Sequence, residues 1–149
     1  VANAGVRLEP HVVAQRVEPD GAVFVYQAGP QERVISQYTA RTVTDMMVQV
    51  IEEHVTQAGV PGYHMAGKTG TAQIPVPGGY DPDDTIVSFV GFGPVPDPQF
   101  VILVKLDRPH SSTWASYTAA HSFGRLAQQL CVLLDIPPQP EALVSAGTE

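Results

Sequence analysis

Residues 66–73 read Ala-Gly-Lys-Thr-Gly-Thr-Ala-Gln, and no other stretch constrains this 149-residue chain as tightly. Counted from Gly62, the segment Gly62-Tyr63-His64-Met65-Ala66-Gly67-Lys68-Thr69 also fits G-x-x-x-x-G-K-[ST], a phosphate loop. A phosphate loop needs a buried strand before it and a helix opening at the lysine, because the backbone N–H groups of that turn wrap the phosphates. The flanks speak against both. Ala58-Gly59-Val60-Pro61-Gly62 reads as a helix stop and a turn. Downstream, Gly70, Pro75 and Pro77 oppose a helix.

Met65 to Ile74 suits an extended strand instead, since small residues and threonines fill it and a Pro/Gly-rich stretch closes it. A strand carrying Lys68, Thr69, Gly70 and Thr71 offers one cation, two hydroxyls and a bare backbone. That combination suits an anionic substrate. Lys68 attracts it, and the threonine hydroxyls hydrogen-bond a carboxylate. Gly70 leaves room for a ligand along the strand. A free N–H on such an edge can hold an oxyanion.

Around this strand the chain orders itself into alternating elements. Residues 11–18 and 22–27 are predicted strands about Pro19-Asp20-Gly21, a hairpin signal. A helix is predicted over 36–58, with Val43, Met46, Met47, Val50, Ile51, His54 and Val55 on one face and Ser36 as its N-cap. The two methionines read as core filler. A loop is predicted from Pro75 to Asp84. Strands follow at about 85–92 and 100–106; their apolar residues on both faces predict a central sheet covered on both sides. A last helix spans about 116–135, its apolar face running from Ala119 to Leu134, and Pro137 and Pro138 end it. Residues 139–149 read as a frayed tail after a single unit over 1–138.

Composition narrows the function classes. The net charge is −7 with no basic cluster, which argues against nucleic acid. The lone Cys131 permits no internal disulfide and reads as a small buried hydrophobe. No apolar run approaches membrane-spanning length. The five histidines lack metal-ligand spacing. Asp81, Asp83 and Asp84 read as a solvated turn rather than a calcium loop.

Lys68-Thr69-Gly70-Thr71, with Ala66-Gly67 before and Ala72-Gln73 after, resembles the K-T-G box of class B penicillin-binding protein transpeptidases. Agreement extends in order along the chain: Ala2-Asn3-Ala4-Gly5 and Pro10 to Val13, Val34-Ile35-Ser36 with Thr39-Ala40, Ser88-Phe89-Val90-Gly91-Phe92-Gly93-Pro94, and Asp97-Pro98 with the run from Val101 to Leu106. The resemblance implies an α/β (α+β) fold, an antiparallel sheet covered by helices. It implies that Lys68 acts catalytically, that the backbone N–H of Thr71 is an oxyanion donor, and that Lys68, Thr69, Gly70 and Thr71 bind substrate. It implies no cofactor and no metal. Its partners would be a peptidoglycan stem peptide ending in D-Ala-D-Ala, β-lactam antibiotics, and the N-terminal half of the same domain. It places the parent protein outside the cytoplasmic membrane on an N-terminal anchor, in cell division or in cell elongation.

That family also requires a Ser-x-x-Lys nucleophile box and a Ser-x-Asn box, both N-terminal to the K-T-G box. No serine here has lysine at the third position on or asparagine at the second. The chain therefore reads as the C-terminal part of the domain, inactive by itself. Ser36 and Ser88 are not nucleophile candidates, being a cap and a strand residue. The segment Asp107 to Phe123 departs from the family pattern: His121 stands where a proline is usual. Trp114 is a candidate for stacking on substrate, with packing as the default. A serine β-lactamase or β-lactam sensor, a non-catalytic interaction module and a phosphate-loop nucleotide binder stay open as alternatives.

Overall fold

The computed structural model describes residues 1–110, 112 and 114–140. The expected tail beyond Pro140, and Ser111 and Thr113, lie outside the described residues. In chain order the elements are β1 (Val6–Arg7), β2 (Gln15–Val17), β3 (Val23–Val25), β4 (Glu32–Arg33), α1 (Gln37–Gln49), a π turn (Val50–His54), a 3₁₀ turn (Thr56–Ala58), β5 (Ala66–Val76), β6 (Gly79–Gly93), β7 (Phe100–Asp107) and α2 (Ala119–Leu133). β1 pairs with β4, and β2 with β3 about the expected turn. The remaining strands form one antiparallel sheet in the order β5-β6-β7. An antiparallel sheet packed by helices is the expected fold class.

The helix expected over 36–58 starts where the sequence puts it. The Ser36 hydroxyl accepts the Thr39 N–H at 3.0 Å, an N-cap that satisfies one orphan donor. The regular helix stops at Gln49, however. The Val55 N–H reaches back five residues to the Val50 carbonyl, so the turn is a π turn. One extra residue in a turn rotates the helical phase by about 100°. Of the expected face, Val50 packs against the core together with Ile51 and Val55. Ile51 and Val55 are buried, whereas Met46 is 59% exposed and His54 points to solvent. Met46 is not core filler.

The loop expected over Pro75–Asp84 is a hairpin. Pro75 faces Tyr80 and Val76 faces Gly79, after a register shift between Gln73 and Pro75. A proline is tolerated there because β5 lies at the sheet edge, where one side of the strand has no ladder to lose. Gly78, at φ +92°, supplies the left-handed residue of the turn.

Register assigns the faces of the sheet. Thr69, Phe89 and Val104 stand in one transverse row, flanked by the rows Gly67–Gly91–Ile102 and Thr71–Val87–Leu106. This face carries the core: Val87 and Phe89 meet Phe123, Ala127 and Cys131 of α2, with Ile51 and Val55 of the π turn. The opposite face carries the rows Ala66–Phe92–Val101, Lys68–Val90–Leu103 and Gly70–Ser88–Lys105. Phe92 is buried there, but Val101 and Leu103 are 61% and 67% exposed. The described residues thus cover one face except at its Thr71 edge and the other only at one end. The apolar runs predicted cover on both sides, because run composition reports apolar side chains on both faces without saying which segment packs on each.

α2 ends on Asp135 in the left-handed region (φ +52°), with the Ile136 N–H on the Cys131 carbonyl, and the prolines follow. Leu126 and Leu134, expected on its buried face, are largely exposed. Cys131 is buried as expected, and burial raises its thiol pKa.

Candidate functional site

β5 positions the octapeptide. Lys68, Thr69, Gly70 and Thr71 pair in that order with Val90, Phe89, Ser88 and Val87 on one side only, since β5 closes the sheet. This geometry removes the phosphate-loop reading: Lys68 lies inside a strand, not at the opening of a helix. Two contacts anchor the strand just before Lys68. A side chain on Gly67 would strike the Phe89 ring and approach Ile51 Cδ1 at 3.1 Å, so bare backbone lets the strand lie on the core. Upstream, His64 Nδ1 meets Glu52 Oε1 of the π turn at 2.7 Å.

The segment leading into β5 is also tied to the chain's C-terminal side. Gln139 accepts the His64 N–H at 2.8 Å through Oε1 and donates from Nε2 to the Val95 carbonyl at 2.6 Å. Its own N–H donates to the Gly62 carbonyl at 2.8 Å, and Tyr63 donates its hydroxyl to the Ile136 carbonyl at 2.8 Å. Gln139, read from sequence as the first residue of a frayed tail, is a fixed point.

Lys68 and Thr69 project to opposite faces, yet the ammonium returns to its neighbour. Nζ donates to the Thr69 carbonyl at 3.0 Å and to Thr69 Oγ1 at 3.2 Å. The two predicted polar groups are therefore one unit: a cation curled against a hydroxyl. Lys68 and Thr71 are exposed, and Thr69 and Gly70 are partly so. A cavity of about 630 Å³ lies elsewhere, between α1, the first residues and Pro96; none of residues 68–71 lines it. The candidate site is an open strand, not a pocket.

Among the other singled-out residues, Ser88 adjoins it, paired with Gly70. Ser36 is a cap, and Ser88 is inside β6. Asp81 Oδ1 accepts the N–H groups of Asp83 and Asp84, both at 3.0 Å. Those two bonds hold its carboxyl below the usual carboxylate range. Asp84 pairs with Arg108 at 3.2 Å, so the acidic stretch is organised by its own backbone and one arginine. Trp114 is 67% exposed, against the expectation that it packs; its carbonyl accepts the Thr118 hydroxyl. His121 is exposed on the first turn of α2.

An antiparallel sheet backed by a C-terminal helix, with a lysine and two threonines on its edge strand, is an α+β architecture. The chain belongs to the penicillin-binding protein transpeptidase domain family, which matches residues 1–128. It is 36% identical over 153 residues to penicillin-binding protein PbpB of Mycolicibacterium smegmatis, covering 95% of this chain and 24% of that protein. It is 30% identical to stage V sporulation protein D of Bacillus subtilis, covering 92% of this chain and 22% of that protein. In three dimensions it resembles penicillin-binding protein 3 of Mycobacterium tuberculosis in complex with aztreonam. The TM-score is 0.83 at 35% identity, over 93% of this chain and 34% of the other. An ampicillin complex of that protein superposes equally well. The chain thus spans about a quarter of the length of these curated relatives. The family resemblance and fold class drawn from the sequence are borne out.

Proposed function

We propose that β5 is one wall of a serine D,D-transpeptidase site that cross-links peptidoglycan stem peptides. The observation that carries the reading is the Lys68–Thr69 unit on an open strand, in a chain of this family. A serine hydroxyl contributed by sequence outside these residues attacks the carbonyl between two D-alanines. The terminal D-alanine leaves, and an amine of a neighbouring strand takes the acyl group from the serine. Lys68 supplies positive charge beside the reacting serine, and its bonds to Thr69 fix where that charge stands. The hydroxyls of Thr69 and Thr71 hold the substrate carboxylate.

Backbone periodicity supports the oxyanion role of Thr71. In a strand, the N–H and C=O groups of residues i and i+2 point to the same edge. The Thr69 carbonyl accepts the Lys68 ammonium, which places it on the side away from β6. In this reading the Thr71 N–H shares that side and donates to a developing oxyanion. Loss of one such donor costs about 10²- to 10³-fold in rate. Gly70 keeps the strand narrow between the two threonines. β-Lactams acylate the same serine in this reading, in keeping with the ampicillin and aztreonam complexes of the relative. The site works on the outer side of the cytoplasmic membrane; among the described residues no helix is long and apolar enough to cross one.

Fluorescent penicillin tests the proposal. The full-length protein is labelled covalently, the 149-residue chain is not, and Lys68→Ala in the full-length protein lowers the acylation rate by about 100-fold or more while the fold persists. Near-normal labelling of Lys68→Ala would refute the role of this strand.

A further inference from the structure

Gly70 reads from sequence as bare so that a ligand can lie along the strand. The structure puts something else in that space. Gly70, Ser88 and Lys105 form one transverse row, on the same face as Lys68 and Val90. A Cβ built on Gly70 would stand 2.6 Å from Ser88 Oγ, closer than real Cβ atoms come to any neighbour. Its distance to Ser88 Cβ would be 4.0 Å, an ordinary contact. The obstacle is therefore the hydroxyl oxygen alone. Ser88 is half-buried in the middle of β6, where hairpin register fixes its backbone opposite Gly70. A serine has a single χ1, so Oγ clears an added methyl only by leaving this rotamer.

We infer that Ser88 is a positioning residue for the Lys68–Thr71 strand: its hydroxyl is seated over Gly70, and that seat, rather than the ligand, is what requires glycine in the box. This rests on the transpeptidase reading above. Ser88 touches neither the reacting atoms nor the substrate in this account. It acts through the height and tilt of β5 above β6, and so through where Lys68, Thr69 and the Thr71 N–H stand. Misplacement by about 1 Å is enough to cost about 100-fold in rate.

The test is a rescue experiment in the full-length protein, read as the second-order rate of acylation by fluorescent penicillin per folded molecule, with thermal midpoints measured alongside. Gly70→Ala alone is expected to lose about 10- to 100-fold. Adding Ser88→Ala removes the oxygen and leaves the 4.0 Å contact. The double variant is expected to return to within about threefold of Ser88→Ala alone, a small residue of the misplacement cost. Gly70→Ala with Ser88→Thr keeps a heavy atom in the seat and is expected not to recover. If Gly70→Ala folds poorly, the same pairwise comparison applies to the thermal midpoint, which Ser88→Ala but not Ser88→Thr restores. A harmless Gly70→Ala overturns the inference, and so does a double variant no better than Gly70→Ala, which would return the space to the ligand. Lys68→Ala separates the two levels: normal acylation there sinks the site itself, while an inactive Lys68→Ala with no rescue sinks only the role of Ser88.

Discussion

Gly91 is roofed by Phe123: a methyl group on its Cα would stand 2.5 Å from both Cε2 and Cζ of that ring. It would also stand 3.0 Å from the Ala66 carbonyl oxygen, so neither side has slack. Phe123 is fully buried, and its ring lies 4.9 Å from that of Phe89 at 49°. Gly91→Ala is therefore an overpacking change. It should destabilise the protein by about 1–3 kcal/mol, because close-packed aromatic rings cannot move independently. The denaturation midpoint measures this. An unchanged midpoint would mean that α2 does not rest on the sheet as described.

Asp81 gives a pH-dependent prediction. Two backbone N–H groups hold its ionised form, so its pKa in the folded protein lies below the ordinary value of 3.8. A depressed folded pKa stabilises the fold above the unfolded pKa, and that contribution is lost as pH falls through the folded one. Asp81→Asn should therefore lower stability at neutral pH and flatten the acid limb of the stability curve. Carboxyl chemical shifts in an NMR titration check the direction. A midpoint for Asp81 at or above 3.8 contradicts the two hydrogen bonds.

Cys131 is 1% exposed, and burial raises its thiol pKa. Both effects remove the thiolate that reacts with disulfide reagents. Labelling at pH 8 should wait on opening of α2. An opening that costs about 3 kcal/mol slows labelling by about 100-fold relative to an unfolded chain. Native-state labelling as fast as in denaturant would place Cys131 at the surface.

The strand around Lys68 was legible because composition alone spoke against its rival. Prolines and glycines on both flanks oppose the helix that a phosphate loop needs. Ser36 was legible as a cap because a small hydroxyl before an apolar-periodic run has few other uses. Three features were hidden for physical reasons. Pro75 and the aspartates after Tyr80 read as loop, since sequence does not reveal that β5 is an edge strand, where proline is tolerated. Met46 lies six residues after the buried Ala40, about 240° round the helix, so it faces outward although it falls within the apolar run. The Ser88 seat over Gly70 depends on the register of a hairpin whose turn was itself unread. The residues of the site were visible one at a time. Their contacts, including the return of Lys68 to Thr69, were not.

Gln139 makes the last prediction. Its side chain bridges two segments that flank the site strand: His64, two residues before β5, and Val95, two residues after β6. Gln139→Ala keeps its backbone bond to Gly62 but leaves the His64 N–H and the Val95 carbonyl without their side-chain partner. Each part-buried group left unsatisfied costs about 1–3 kcal/mol if water cannot reach it. Both bonds are part-buried, so the lower end of that range applies, about 2 kcal/mol for the pair. The local effect should exceed the global one. Amide exchange at His64 should accelerate, while the amides of Val87 and Phe89, in the central strand under α2, stay protected. Gln139→Glu is the matching comparison: it keeps an acceptor for the His64 N–H, loses the donor to Val95 and sets a carboxylate oxygen against that carbonyl. Faster exchange at His64 in Gln139→Ala, with protection kept in Gln139→Glu, is the expected pattern. Equal exchange in all three proteins would show that the contact does not hold the entry to β5.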